Sequence, residues 1–135
     1  MIVANYTGGS SAVFSLNDDG SLGKRTDFQQ HQGSGPNKQR QEAPHAHCSK
    51  FLTRDGVEYA YVVDLGLDQV LSYRLDQKTG ALAATLPGSV KLPPSSGPRH
   101  IAFHPELERA YVCGEMDSTC ITLQFRRQKI GRAHV

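Results

Sequence analysis

No stretch of the 135-residue chain approaches the run of about 18 apolar residues that a membrane helix needs. Its start, MIVANY, runs straight into TGGSS and lacks the basic and long apolar regions of a signal peptide. Cysteine is scarce. Cys48, Cys113 and Cys120 are odd in number and contain no CxxC pair, which argues against a disulfide framework and against a zinc ribbon. They read as free thiols in a reducing cytoplasm. A surplus of one charge is lacking too: 15 Lys and Arg face 13 Asp and Glu, a formal +2. That balance excludes a strongly basic nucleic-acid binder and an acidic solvating tail. Tryptophan is absent, and the aromatics are five Tyr and five Phe. No window carries a 3.6-residue apolar stripe over 11 residues, so no amphipathic helix is expected.

What the chain does have is punctuation. Thirteen Gly and seven Pro separate short runs rich in Val, Ile, Tyr and Phe. These runs are Ile2–Tyr6, Ala12–Leu16, Glu58–Asp64, Val70–Leu75, His100–His104, Ala110–Gly114 and Cys120–Phe125. Between them lie NDDG at 17–20, RDG at 54–56 and KTG at 78–80, each with the Gly or Asp that tight turns demand. The expected fold class is all-β. The length by itself fits one ordinary domain of about 100–150 residues, but the chain repeats internally. YVVDLGLDQVLSY at 61–73 parallels YVCGEMDSTCITL at 111–123, and VANYTGGSSAVFS at 3–15 follows the same pattern. With Asn5, Asp64 and Gly114 equivalent, the units lie 59 and then 50 positions apart, the first lengthened by the polar insertion Gln29–Pro44. The strands feeding them also match, His47-Cys-Ser-Lys-Phe51 against His100-Ile-Ala-Phe103. A period near 50 with four short strands per unit marks the four-stranded antiparallel blades of a β-propeller. Such a ring closes with about 4–8 blades, so residues 1–125 are expected to form a partial propeller that relies on further blades of its own chain. Residues 126–135 (RRQKIGRAHV) lose all periodicity. The segment 130–135 looks like a translated sequencing adapter, which removes His134 from consideration.

Two polar clusters lead into equivalent inner strands, RQEAPHAH at 40–47 and SGPRH at 96–100. The first strand of a blade lines the central channel, so residues at its start converge on one mouth. Alternation puts His45 and His47 on one strand face and Ala46 on the other. Glu115 follows just past the second strand of the next unit. Singly, each has an ordinary reading as a surface pair, a turn or a cap; repetition at equivalent points of successive blades makes them a candidate small-molecule site. An oxygen-donor set of Asn5, Asp64 and Glu115 is the alternative, a divalent cation in the channel. Tyr59, Tyr61 and Tyr111 read as packing residues and His104-Pro105 as a structural turn.

The segments GSGPNKQRQEAPHAH, VVDLGLDQVLSYRLD and SGPRHIAFHP, in this order, resemble the lactonase-type seven-bladed propellers, the 6-phosphogluconolactonase family, to which the fungal carboxy-cis,cis-muconate cyclase is also similar. The resemblance runs from about Ile2 to Phe125. It implies seven blades, a lactone substrate, no cofactor and a cytoplasmic role in the pentose phosphate pathway. Muconate-type lactonising cycloisomerase chemistry, or a non-enzymatic binding platform, is the alternative. It also implies catalytic roles for Arg99, Glu115 and a histidine of PHAH, either His45 or His47. Arg40 and Glu42 then serve as substrate-binding wall residues, joined in that role by Asp64 and His100. A further arginine used in the family falls beyond the C-terminal end of the match. Where the family tends to have Asn before the glutamate this chain has Gly114, which predicts a looser turn.

Overall fold

The computed structural model describes residues 1–125, and their regular structure is strand throughout. In chain order the strands are β1 (Ile2–Asn5), β2 (Ser10–Leu16), β3 (Leu22–Gln30), β4 (Ala46–Arg54), β5 (Val57–Asp64), β6 (Gln69–Leu75), β7 (Leu82–Lys91), β8 (Pro98–Phe103), β9 (Arg109–Gly114) and β10 (Thr119–Gln124). They make three antiparallel meanders: β1-β2-β3, β4-β5-β6-β7 and β8-β9-β10. The middle sheet is the four-stranded blade that the repeat predicts. Its neighbours show three strands each among the described residues.

The blades are held by what each sheet presents on its two faces. On β5, Ala60 and Val62 pack toward the first blade with Val13, Ala46, Tyr73 and Leu82. Tyr61 and Val63 pack toward the third blade with Val70, Leu92, Ile101, Ala110 and Val112. A strand buried on both faces needs no polar alternation, which is why YAYVVD reads as a nearly continuous apolar run. At the outer end of the second interface, Tyr61, Phe103 and Phe125 form a ring cluster with centroids 5.3–5.9 Å apart. The Arg54 guanidinium lies 4.7 Å from the Phe125 centroid. Polar ties cross the first interface, where Thr26 Oγ1 donates to Gly80 O at 2.8 Å and Leu82 N donates to the Asp27 carboxylate.

Two strands went unpredicted, and for one reason. β3 and β7, LGKRTDFQQ and LAATLPGSVK, are the outermost strands of their sheets and largely exposed, so their composition is polar and the apolar signal is weak. The insertion at 29–44 is a strand end followed by a loop. β3 runs to Gln30, and residues 31–45 then cross over the top of the middle blade.

The three hairpin turns on that top side share one geometry. Asn5 pairs with Ser10, Asp64 with Gln69 and Gly114 with Thr119, confirming the predicted equivalence of Asn5, Asp64 and Gly114. The last turn residue is left-handed in each case: Gly9 (φ 62°), Asp68 (φ 53°) and Ser118 (φ 58°). In the middle turn, Gly66 is forced by close approach, because a Cβ there would collide with the Ala43 carbonyl oxygen of the crossing loop. Gly66→Ala is expected to destabilise the protein by about 1–3 kcal/mol through overpacking, read as a lower urea midpoint.

Candidate functional site

The site is built where loops and strand starts meet at the top of the blades. The crossing loop is pinned by Gln41, whose side chain is fully buried. Gln41 Nε2 donates to Leu65 O at 2.8 Å and to Asp68 Oδ1 at 2.7 Å, while its Oε1 accepts from Asn37 N. Asn37 Oδ1 in turn accepts from the amides of Gln39 and Arg40, both at 3.0 Å, a side-chain turn that stands Arg40 up at the surface.

The starts of β4 and β8 both carry a β-bulge. Ala46 pairs with Asp64 and Cys48 with Val63, leaving His47 as the extra residue. Pro98 pairs with Gly114 and His100 with Cys113, leaving Arg99 as the extra residue. His47 and Arg99 are therefore equivalent positions of successive blades, one place off the predicted match of His47 with His100. The match of Phe51 with Phe103 stands, since they pair with Ala60 and Ala110. A bulge re-aims the side chain it inserts, and here two of them do so side by side.

Charges converge on Glu115. Arg40 Nη2 donates to Glu115 Oε2 at 2.6 Å, and Arg99 Nε lies 3.5 Å from Oε1. About half of each arginine side chain is exposed, so the cluster faces solvent. The hydrogen bond from Arg40, then the charges of Arg40, Arg99 and His47, hold the Glu115 carboxyl below the usual carboxylate range. Arg40 is itself held above its ordinary value, first by a hydrogen bond to the Tyr6 side chain and then by Glu115.

The histidines form a row with Tyr6. Tyr6 stacks on His45 at 4.6 Å between centroids and meets His47 edge-on at 5.6 Å; His47 meets His100 edge-on at 5.2 Å. The two PHAH histidines differ in chemistry. His45 is buried, with Nδ1 3.0 Å from Tyr6 O and Nε2 2.8 Å from Glu42 Oε1. Both nitrogens thus face oxygen acceptors. The Glu42 backbone amide and then the His45 ring keep the Glu42 carboxyl below its usual range. His47 is half-buried, and its Nδ1 is itself enclosed and has no hydrogen-bond partner. Burial, and then the charges of Arg99 and His100, push its pKa below 6.5, so it is neutral at pH 7.

A sequence model of the family "Lactonase, 7-bladed beta-propeller" matches residues 1–133. The chain belongs to the seven-bladed lactonase propellers. A 6-phosphogluconolactonase of Bacillus subtilis (strain 168) is 41% identical over 125 residues, covering 93% of this chain and 34% of that protein. A solved structure from Bacteroides fragilis NCTC 9343 superimposes with TM-score 0.84 at 37% identity, over 93% of this chain and 36% of that one. The periplasmic gluconolactonase of Pseudomonas aeruginosa does so with TM-score 0.72 at 31% identity, over 91% and 38%. The chain thus spans about a third of the length of these lactonase relatives.

Of the residues singled out from the lactonase resemblance, Arg40, Arg99, Glu115, His47 and His100 come together, with His45 and Glu42 joined to them through Tyr6. Asp64 does not face the site. It is fully buried, its Oδ1 accepting from His45 N (2.8 Å) and Leu67 N (3.1 Å) and its Oδ2 from His31 Nδ1 (2.6 Å). Its work is to hold the loop beneath the site, not to touch a ligand. The oxygen-donor alternative fails for the same reason. Asn5 donates to Ser10 Oγ, Asp64 is enclosed, Glu115 is taken by two arginines, and no cluster of three metal-ligating side chains occurs among the described residues. The expectation of a loose turn at Gly114 is also corrected. The Asp117 carboxylate fills the space where a Cβ would stand and accepts from Thr119 N and Oγ1. Glu115 N and Met116 N are bonded to Gly97 O and Ser96 O.

Tyr6 was missed. Yet the register makes it the counterpart of Glu115 in the first blade, one place past Asn5 as Glu115 is one place past Gly114. The third counterpart, Leu65, is buried under the crossing loop, whose Arg40 takes its place at the surface.

Among the described residues no helix is long and apolar enough to cross a membrane. Two shallow concavities of about 500 Å³ open at the opposite ends of the strands, one lined by Arg74–Asp76 and Ala81–Ala83 and the other by Gly56–Glu58 and Arg74–Lys78, and none of the site residues lines either.

Proposed function

We propose that this chain supplies the catalytic sector of a sugar lactonase, and that its substrate is an anionic lactone such as 6-phosphogluconolactone. The observation that carries the reading is the Arg40–Glu115–Arg99 cluster standing beside a neutral histidine. Lactone hydrolysis needs three things: a water made nucleophilic, stabilisation of the oxyanion that forms on the carbonyl, and a grip on the substrate's negative group.

His47 takes the proton from the attacking water and returns it to the ring oxygen as the ester bond breaks, which leaves a hydroxy acid. Both ring nitrogens of His45 face the oxygens of Tyr6 and Glu42, whereas His47 Nδ1 has no hydrogen-bond partner. Arg99, aimed by its bulge, presents a planar fork of donors to the carbonyl oxygen as negative charge develops there. Arg40 holds the substrate's anionic group. Glu115 keeps the two guanidinium groups apart and oriented, while Glu42 and Tyr6 fix His45 as a wall of the pocket. His100 closes the row behind His47. The reading places the protein in the cytoplasm, in the pentose phosphate pathway, with the further blades of a complete ring as its structural partners. The three free cysteines suit that reducing compartment.

The test is a lactonase assay on the complete ring with phosphorylated and unphosphorylated sugar lactones and a muconolactone. Hydrolysis should favour the phosphorylated sugar lactone. Turnover of the muconolactone alone would replace this reading with the cycloisomerase. The pH profile carries a second expectation. Because His47 is held below its ordinary value, the acid limb of kcat/KM should have its midpoint below 6.5, with activity lost as pH falls through it. A midpoint above 6.5 would exclude His47 as the base.

A further inference from the structure

One carboxylate in the middle blade holds both arginine-bearing loops. Asp68 is buried at the left-handed corner of the β5–β6 turn, a conformation that Asp tolerates better than most residues. Its Oδ1 accepts from Gln41 Nε2 at 2.7 Å, from Gly97 N at 2.9 Å and from Ser96 Oγ at 3.4 Å. Its Oδ2 accepts from Ser95 N at 2.8 Å, and its backbone carbonyl accepts from Leu92 N at 2.8 Å. Gln41 directly follows Arg40, and Gly97 stands two residues before Arg99. The same oxygen atom therefore anchors the loop of each arginine. Glu115 hangs on the second of these loops, through its amide to Gly97 O at 2.9 Å.

The three charged side chains have no buried anchor of their own; their separation is set by the backbone beneath them. We propose that Asp68 is the positioning residue that fixes Arg40 and Arg99 at the spacing at which both reach Glu115. It touches no substrate and acts only through Gln41 and the 95–97 turn. A carboxylate is required for this, because four N–H and O–H donors converge on it and it has only acceptors to offer. An amide would turn its own NH2 toward one of those donors. The proposal rests on the lactonase reading of the arginine cluster for its consequence in catalysis, but not for its geometry.

The experiment uses the complete propeller with Glu side chains labelled with 13C, in wild-type, Arg40→Ala and Asp68→Asn forms. It reads the titration midpoint of Glu115, which faces Arg40, Arg99 and His47. Arg40→Ala should raise that midpoint and so calibrate the signal. Asp68→Asn should raise it as well, toward the ordinary carboxylate value, and lower kcat/KM on the lactone about ten- to hundredfold, as misplacement by about 1 Å does. A residue that served stability alone would lower the urea midpoint and leave Glu115 in the folded protein titrating as in the wild type; that result overturns the proposal. Should Asp68→Asn not fold, Gln41→Met decides. It cuts the limb from Asp68 to Arg40, together with the bonds of Gln41 to Leu65 O and Asn37 N, and leaves the 95–97 limb in place; it should raise the Glu115 midpoint, while an unmoved midpoint overturns the proposal. Wild-type protein that hydrolyses no lactone removes the functional reading, and the Glu115 titration still decides the role of Asp68.

Discussion

Replacing Arg99 by alanine should lower kcat/KM for the lactone by about 10²–10³, the loss that follows removal of one donor aimed at a developing oxyanion. The expectation comes from placement. Arg99 is the inserted residue of the β8 bulge, next to the equally inserted His47 of the β4 bulge in register, and Glu115 Oε1 lies 3.5 Å from its Nε. The guanidinium is about half exposed, so its loss should leave stability within about 0.5 kcal/mol of the parent. Arg99→Lys keeps the charge and loses the planar fork, and should recover only part of the rate. The measurement is steady-state kinetics alongside urea unfolding. Kinetics within threefold of the parent would remove Arg99 from the chemistry. A large rate loss accompanied by a large stability loss would make it a structural residue instead.

The fold was legible in the sequence because a blade repeats and because β5 is buried on both faces. YVVDLGLDQVLSY carries the apolar run, the turn and the equivalence to its neighbours in 13 residues. The outer strands β3 and β7 were not legible. Their surroundings on the exposed flank let Lys, Arg, Thr and Ser into strand positions, and composition alone then reads as loop.

The site was legible as a set of residue types but not as an arrangement. His47 and Arg99 correspond only once the two bulges are known, and a bulge leaves no mark in a run such as AHCSK or PRHIAF. The reading that favours His47 over His45 rests on the Tyr6 carbonyl, which lies on another segment, and on the Glu42 carboxylate three residues from His45. Tyr6 could have been found by applying the Glu115 position to the first repeat. Asp64 was misplaced because a conspicuous acidic residue at a strand end looks the same in sequence whether it faces a ligand or supports a loop. Burial separates the two, and sequence alone does not report it.

That burial gives Asp64 the largest expected effect on stability. Asp64→Ala should cost about 3–5 kcal/mol, the range for removing one partner of a buried pair. Three groups lose their acceptor at once: the His45 amide, the Leu67 amide and His31 Nδ1. The His31 ring is almost wholly enclosed, and its Nε2 already lacks a partner, so without Asp64 the whole imidazole would be buried with no hydrogen bond. No water can reach these groups without opening the loop that carries Arg40 and His45. Asp64→Asn should cost less, because its remaining carbonyl oxygen can still accept from the two amides. Urea unfolding of the complete ring orders the three proteins: wild type, then Asn, then Ala. A typical domain has only about 5–15 kcal/mol in total, so the alanine variant should also show early proteolytic cleavage within residues 31–45. If Asp64→Ala instead lost less than about 1 kcal/mol, the loop would be held mainly by Gln41 and Asp68, and Asp64 would not be its main anchor.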